Sequence, residues 1–436
     1  MLKVYYLKDL HKAEIDNLCL RNVDEDNLIE NSVKAIITEV KTNGDAALKV
    51  FTKQFDQVEL DRLYVDKDEL QNLARSVSDH QKKALNTAYT NIYNFHLSQV
   101  GKDEIVETMP GVSCWRDSRP IEKVGLYIPG GTAVLPSTFL MLGIPAKIAG
   151  CKEMVVCSPP QKDGKVNAFI AYCATLLNID KIYLTGGAQA VAAMAYGTET
   201  IPKVDKIFGP GNRYVTSAKN IVQSTTRTAI DMPAGPSEVL IIANGHSNPK
   251  FVAADLAAQA EHGIDSQVVL ISTSTQFVDD VLQELSQQLP LLSRSEIAYK
   301  AFGKSFAVIV EDLNQAMDFS NQYAPEHLIL AIEDWQQLVD KIVNAGSVFL
   351  GNYSPESAGD YASGTNHTLP TSSYAKSHSG VSVDSFIKKI TFQHITEIGL
   401  KNLGPTVEIL ADMEGLQAHK NAVTVRLQNL ISDKEF

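Results

Sequence analysis

From about residue 121 onward the chain alternates short apolar runs with helix-patterned stretches, and this alternation constrains the fold more than any other feature. VGLYIP runs into Gly130-Gly131. EMVVCSPP precedes a helix near 165–177, KIYLTGG an alanine-rich helix near 188–196, and DKIFGPGNRY a helix near 213–224. Strand and helix in strict succession build a parallel sheet with helices on its faces, since parallel strands need a crossover between them. A second series begins at SEVLIIAN. It continues through a helix over 249–262, QVVLIST, a helix near 276–288, FAVIVE, a helix near 312–322, HLILAI, a helix near 334–344 and GSVFLGN. The two series predict duplicated α/β architecture, although no clear internal sequence repeat accompanies it.

The flanks differ. Residues 1 to about 120 read as mostly helical and polar-faced, for example over 25–56 and 67–98, with Gly44 as a turn between two helices. No residue there reads as catalytic. From about 382, SVDSFIKKITFQHIT is short and mixed, and 401–430 reads as helical. A helical tail after a completed sheet packs on another subunit or on its own chain.

Bulk composition excludes some roles. With 436 residues, a net charge of −12 and no basic run or stripe, the chain does not read as a nucleic-acid binder. The N-terminus lacks the apolar core of a signal peptide, and no run of about 18 apolar residues marks a membrane span. Five scattered cysteines without a C-x-x-C pattern predict a reduced, cytoplasmic protein.

Three strands of the first series end in glycines: Gly130-Gly131, Gly186-Gly187 and Gly209-Pro210-Gly211. Glycine turns at the carboxyl ends of parallel strands are where open α/β sheets bind ligands, and helix N-termini there can receive a pyrophosphate. The G-x-G-x-x-G fingerprint is absent, so the glycines could equally do no more than end strands. In the second series Asn248 suits an N-cap, Pro249 the first helical position and Gly263 the residue past the helix end. Gln259 and His262 then share one face of the last turn, where they could hold a metal ion or merely lie solvated. The adjacent Glu326 and His327 could serve two different proton transfers, or form a solvated turn before a strand. Asp360 lies in a loop rich in glycine and serine that ends near His367, and His419 follows Glu414 at spacing five in the tail. Two imidazoles, a carboxylate and an amide oxygen suit zinc. H-E-x-x-H is missing.

Taken together, IDMPAGPSEV (230–239), AAQAEHGIDSQ (257–267), NQYAPEHL (321–328), GSVFLGNYSPESAGDYASGTNHTLPT (346–371) and the segment bearing Glu414 and His419 resemble the histidinol dehydrogenase family. The resemblance covers nearly the whole chain apart from the first hundred residues. It implies an NAD-dependent enzyme with one Zn2+ per subunit that oxidises L-histidinol to L-histidine through L-histidinaldehyde. It also implies a homodimer with a shared active site. By the same resemblance Glu326 and His327 are the catalytic proton acceptors, and Gln259, His262, Asp360 and His419 are the metal ligands. The histidine at position 419 would come from the partner. Substrate contacts would be Ser237, Gln259, His262, His327, Asp360, Glu414 and His419, and NAD contacts Tyr127, Gln189 and Asn212.

The expected fold is α/β: two Rossmann-like parallel-sheet domains of related architecture, a helical N-terminal segment and a helical C-terminal tail that contacts the partner subunit. The expected boundaries are 1–25 for the N-terminal segment, 26–126 with 237–381 for the domain carrying metal and catalytic residues, 127–236 for NAD, and 382–436 for the dimerisation tail. Two rival readings are a zinc hydrolase using Glu326 as base and a non-catalytic dimer stapled by zinc.

Overall fold

The computed structural model describes residues 2–21, 27–101, 104–130, 134–233 and 235–432. Gly131 and Ala234, which fall in segments singled out above, lie outside the described residues. In chain order the strands are β1 (Lys3–Tyr6), β2 (Tyr64–Asp66), β3 (Val106–Met109), β4 (Val112–Pro120), β5 (Lys123–Tyr127), β6 (Glu153–Ser158), β7 (Lys181–Leu184), β8 (Lys206–Phe208), β9 (Ala229–Ile230), β10 (Glu238–Ala243), β11 (Gln267–Ser272), β12 (Phe306–Ile309), β13 (His327–Ala331), β14 (Ser347–Leu350) and β15 (Ile387–Ile395).

One sheet runs β1-β12-β11-β10-β13-β14, parallel throughout. A second runs β2-β7-β6-β5-β8-β9, parallel except that β2 pairs antiparallel with β7. Setting aside β1 and β2, both sheets have one order. The first strand of each series is central, its second and third lie to one side, and its fourth and fifth to the other. The duplicated architecture is therefore present. In each sheet the winding reverses between the first and fourth strands, β10 and β13 in one and β5 and β8 in the other.

The strand β10, sequence EVLIIA, shows why these runs were legible. All its residues are buried. Val239, Ile241 and Ala243 join the core on one face of the sheet, and Leu240 and Ile242 the core on the other. A strand covered by helices on both faces has no solvent side and so reads as an unbroken apolar run. Each large aliphatic side chain buried this way contributes about 1.5–3 kcal/mol.

The first 126 residues are distributed otherwise than expected. The stretch 1–25 carries a helix, Lys12–Cys19, as expected, and also supplies β1, an edge strand paired with β12. The stretch 26–126 gives β2 to the β5 sheet, and its helices Asn27–Phe51 and Asp79–Leu97 bury Val33, Leu48 and Ile92 in the core around that sheet. Gly44, at φ 49°, breaks the first of these helices where a turn was expected. The helix expected over 334–344 shortens to Gln336–Val339.

Val100–Pro120 and Ile387–Phe436 form a compact unit of their own, while Met1–Gln99 and Ile121–Phe386, with both parallel sheets, form the other. The smaller unit holds an antiparallel sheet in the order β15-β4-β3, with Trp115 opposite Phe392 and their rings stacked at 5.4 Å. Helices Glu397–Met413 and Gln417–Ser432 follow, with Gly404 closely against Leu427. The strand β15 falls where the sequence looked mixed. Its residues IKKITFQHI are mostly exposed and offer no alternation between a buried and a wet face. Ile398, Ile409, Met413 and Ile431 of these helices are more than half exposed, at 61–77%. Among the described residues no helix is long and apolar enough to cross a membrane.

Candidate active site

The parallel pairing of β10 with β13 sets Val239 opposite His327, so the amino ends of the two strands lie side by side. Between them the peptide groups of Glu238 act as a hub. Its N–H donates to Glu326 Oε2 (2.8 Å), and its carbonyl oxygen accepts from His327 Nδ1 (3.0 Å). A carbonyl can only accept, so Nδ1 carries a proton and Nε2 is the nitrogen left to exchange one. His327 Nε2 has no hydrogen-bond partner and lies 3.6 Å from Asp360 Oδ1. Both side chains are buried, at 6% exposure for Glu326 and 3% for His327. The solvated-turn reading is thereby removed.

Asp360 stands on a short helix, Glu356–Tyr361, rather than in a loop. Glu356 is one helical turn before it, so the two carboxylates share a face. Glu356 Oε1 lies 3.7 Å from His327 Nδ1, and its Oε2 has no partner. Glu356 is not among the residues expected at the site, although its i,i+4 spacing from Asp360 in PESAGDY is a usable signal in the sequence. His367, named only as the end of that segment, bonds back through Nδ1 to the Asp360 carbonyl (2.9 Å) and through Nε2 to Thr138 Oγ1 (2.8 Å).

The helix carrying Gln259 is Pro249–Ala260, with the Asn248 side chain capping Lys250 N and Pro249 in its first turn, as expected. Gln259 is fully buried, not solvated. In the amide orientation that satisfies both neighbours, its nitrogen donates to Glu356 Oε1 and its oxygen accepts from Glu238 N (2.7 Å). His262 lies just beyond the helix end, bonded through its N–H to the Gln259 carbonyl, and its side chain reaches solvent. Ser237 is half-buried immediately before β10. Glu414 and His419 belong to the smaller unit, at the end of one helix and the start of the next, and both are exposed. Gly415, at φ 72°, separates those helices, so the single tail helix expected there is two.

Burial raises the Glu326 carboxyl to about 8, against the lowering pull of His327. His327 is itself disfavoured as a cation by burial, but Glu356, Glu326 and Asp360 together hold it protonated well above its ordinary range. Burial opposes ionisation of Asp360, yet the nearby charge of His327, with His367 and His262, keeps its carboxyl below the usual value. His262 is lowered by its crowded surroundings despite the Asp360 charge.

This donor set suits a dication. His327 Nε2 and Glu356 Oε2 are buried atoms without a hydrogen-bond partner, and ligand atoms of His327, Glu356 and Asp360 fall within 4.8 Å of one another. Asp360 as carboxylate and His262 as neutral imidazole are the protonation states that metal binding requires. The compact group is thus His327, Glu356 and Asp360, which shares only Asp360 with the expected ligand set; Gln259 is turned toward Glu356 and His262 lies at the wet edge.

The three residues expected at a nucleotide gather at the carboxyl end of the β5 sheet. Tyr127 ends β5, and its hydroxyl accepts from Gly187 N (3.2 Å); burial raises its pKa to about 12. Gln189 is buried in the first turn of helix Gly187–Tyr196. Asn212 caps helix Arg213–Thr225 through Tyr214 N and Val215 N. Gly209 has φ 128°, and a Cβ there would stand 2.2 Å from the Tyr127 carbonyl oxygen, so glycine is required. A buried ion pair of Lys219 with Asp231 holds this turn, Asp231 accepting from Gly209 N (2.9 Å) and Lys219 donating to its carbonyl (3.0 Å).

Two parallel sheets of one order, one ending in glycine turns and the other bearing a buried carboxylate–imidazole cluster, define a two-sheet α/β oxidoreductase. The family model for histidinol dehydrogenase matches residues 20–427. A histidinol dehydrogenase of Bacteroides thetaiotaomicron is 54% identical over 400 residues, covering 92% of this chain and 93% of that protein. A chloroplastic one of Arabidopsis thaliana is 51% identical over 431 residues, covering 98% and 92%. The crystal structure of histidinol dehydrogenase from Elizabethkingia anophelis superposes with a TM-score of 0.95 at 52% identity, covering 98% of each chain. The chain belongs to the histidinol dehydrogenase family and is an NAD-dependent oxidoreductase.

Proposed function

We propose that this chain oxidises L-histidinol to L-histidine through L-histidinaldehyde, passing two hydrides in succession to NAD, at the end of histidine biosynthesis. The observation that carries the reading is the placement of two unlike bases on one residue's peptide groups, Glu326 on the N–H and His327 on the carbonyl of Glu238. Alcohol oxidation needs a base for a hydroxyl proton, and aldehyde oxidation needs a base for attacking water as well. His327 Nε2 takes the hydroxyl proton in the first step. Glu326 takes a proton from water as it adds to the aldehyde while His327 returns its proton to the carbonyl oxygen, and His327 accepts again as the hydrate gives its hydride to a second NAD. With a cation held beside Asp360, the charge that keeps His327 protonated would be offset and the Glu326 carboxyl would be lowered, leaving His327 Nε2 and Glu326 to accept protons.

Zinc would be held by Gln259, His262 and Asp360 of one subunit and His419 of the partner subunit. When bound, it supplies a positive charge that fixes the substrate's nitrogen atoms. Ser237 and Glu414 would contact the substrate, Glu414 through its ammonium group. Tyr127, Gln189 and Asn212 would contact NAD. The exposed apolar residues of helices Glu397–Met413 and Gln417–Ser432 support a homodimer with a shared site. The cytoplasmic location rests on the five unpaired cysteines.

The test is the absorbance of NADH with L-histidinol supplied and zinc present. Two NADH per histidinol, with L-histidine as product, is expected. No NADH, or one NADH with aldehyde accumulating, overturns the reading. Hydrolysis without NADH would favour the zinc hydrolase instead.

A further inference from the structure

Glu238 supports both bases through its peptide groups, and its own side chain is held from the start of the chain. Arg21 Nε donates to Glu238 Oε1 (2.9 Å), and Arg21 Nη2 donates to Glu238 Oε2, a two-point fork with both side chains at 10% exposure or less. The same guanidinium donates to the carbonyls of Tyr323 (2.5 Å) and Ala324 (3.3 Å) and to Ser373 Oγ (2.7 Å), and stacks 3.5 Å from the centre of the Tyr323 ring. Ala324 is two residues before Glu326. Arg21 therefore ties the residue under both bases to the segment that carries them.

Backbone strain gathers at the same place. Among the described residues, five that are not glycine have positive φ: Gln57, Asn178, Ala324, Ser372 and Ser373. Three of them bond this pair: Ala324 and Ser373 to Arg21, and Ser372 through its N–H to Glu238 Oε1 (2.7 Å). Strained backbone persists where its surroundings over-determine it, and it clusters at functional sites. A buried ion pair adds little net stability over an apolar pair of similar volume, so stability alone is a poor reason for one. What a planar fork does supply is a fixed distance and angle.

We infer that Arg21 is a positioning residue for both proton-transfer steps, acting through Glu238 on Glu326 and His327. The inference rests on the assignment of those two residues as the bases. The experiment compares Arg21→Lys, which keeps charge but loses the fork, with the double variant Arg21→Met/Glu238→Met, which removes the pair without leaving a lone buried charge. Oxidation of L-histidinol and of L-histidinaldehyde is measured separately, with Tm recorded for each protein.

In the double variant kcat should fall about 10²-fold in both half-reactions, the scale of a slight misplacement of reacting groups. KM should change little and Tm should be near that of the parent. Arg21→Lys should lie between the two, and added guanidinium should not restore it, since the lysine fills the site. Unchanged kcat per folded molecule in either variant overturns the inference. If the double variant does not fold, Arg21→Lys decides alone. Glu326→Gln and His327→Asn are run beside them. Full activity in those two would show that the base assignment had failed, a result distinct from failure of Arg21 to matter.

Discussion

At the residue scale, the carbonyl of Glu238 fixes a proton on His327 Nδ1 and thereby makes Nε2 the exchanging atom. Glu326, bonded to the N–H of the same residue, is left for a different proton. Replacing Glu326 by Gln is expected to slow aldehyde oxidation more than alcohol oxidation, by about 10²–10⁴-fold. Equal losses in both half-reactions would remove the division of labour. The Glu326 carboxyl also makes a prediction about stability. Its folded pKa is raised to about 8, whereas an unfolded chain ionises its glutamates near about 4.3. Between those values the unfolded state sheds a proton that the folded state keeps, so this group's contribution falls as pH rises and levels off above about 8. In protein without metal, urea midpoints of Glu326→Gln should decline less than those of the parent from about pH 5 to about pH 8. A parallel decline in both would show that Glu326 is not held protonated.

At the element scale, the two sheets share an order but are used at opposite ends. Tyr127, Gln189 and Asn212 lie at the carboxyl end of the β5 sheet, as the glycine-ended strands led one to expect. Glu238 and His327 are the first residues of β10 and β13, so the carboxylate–imidazole cluster is at the amino end of its sheet. No apolar pattern records which end of a strand carries chemistry. The turn after β8 depends on Gly209. Gly209→Ala should raise KM for NAD and lower stability by at least about 1 kcal/mol, read from KM and Tm, because the residue must leave its left-handed backbone or collide with Tyr127. Lys219→Met leaves Asp231 buried and unpaired and should cost about 3–5 kcal/mol by denaturant unfolding. An unchanged midpoint would mean that Lys219 does not hold the turn.

At the scale of the whole molecule, the proposed site is completed by a second copy. Mixing inactive His262→Asn and His419→Asn proteins should restore activity to at most about a quarter of the sites, since in a two-fold dimer one site of the mixed pair has all its ligands. No recovery despite proven subunit exchange would place the whole site in one chain. Removing zinc by chelation should abolish turnover while leaving far-UV circular dichroism almost unchanged. The two sheet cores are closed by aliphatic side chains and do not need the ion. Unfolding on chelation would favour the zinc-stapled dimer.

The sequence by itself determined nine of the ten strands from β5 to β14, all but the two-residue β9, because parallel strands buried on both faces must be apolar throughout; the half-buried edge strand β14 was legible from its own apolar run, SVFL. It also named Glu326, His327, Gln259, His262 and Asp360 before any of them could be seen together. It did not show β1, β2, β3, β4 or β15, whose edge or mostly exposed positions impose no such pattern. Nor did it show that Glu356 completes the acid cluster, or that Arg21, from a segment without apparent chemistry, holds the side chain of Glu238, to whose peptide groups Glu326 and His327 are bonded. Those depend on contacts between residues as far apart as Arg21 and Glu238, and only the tertiary structure brings such residues within hydrogen-bonding distance.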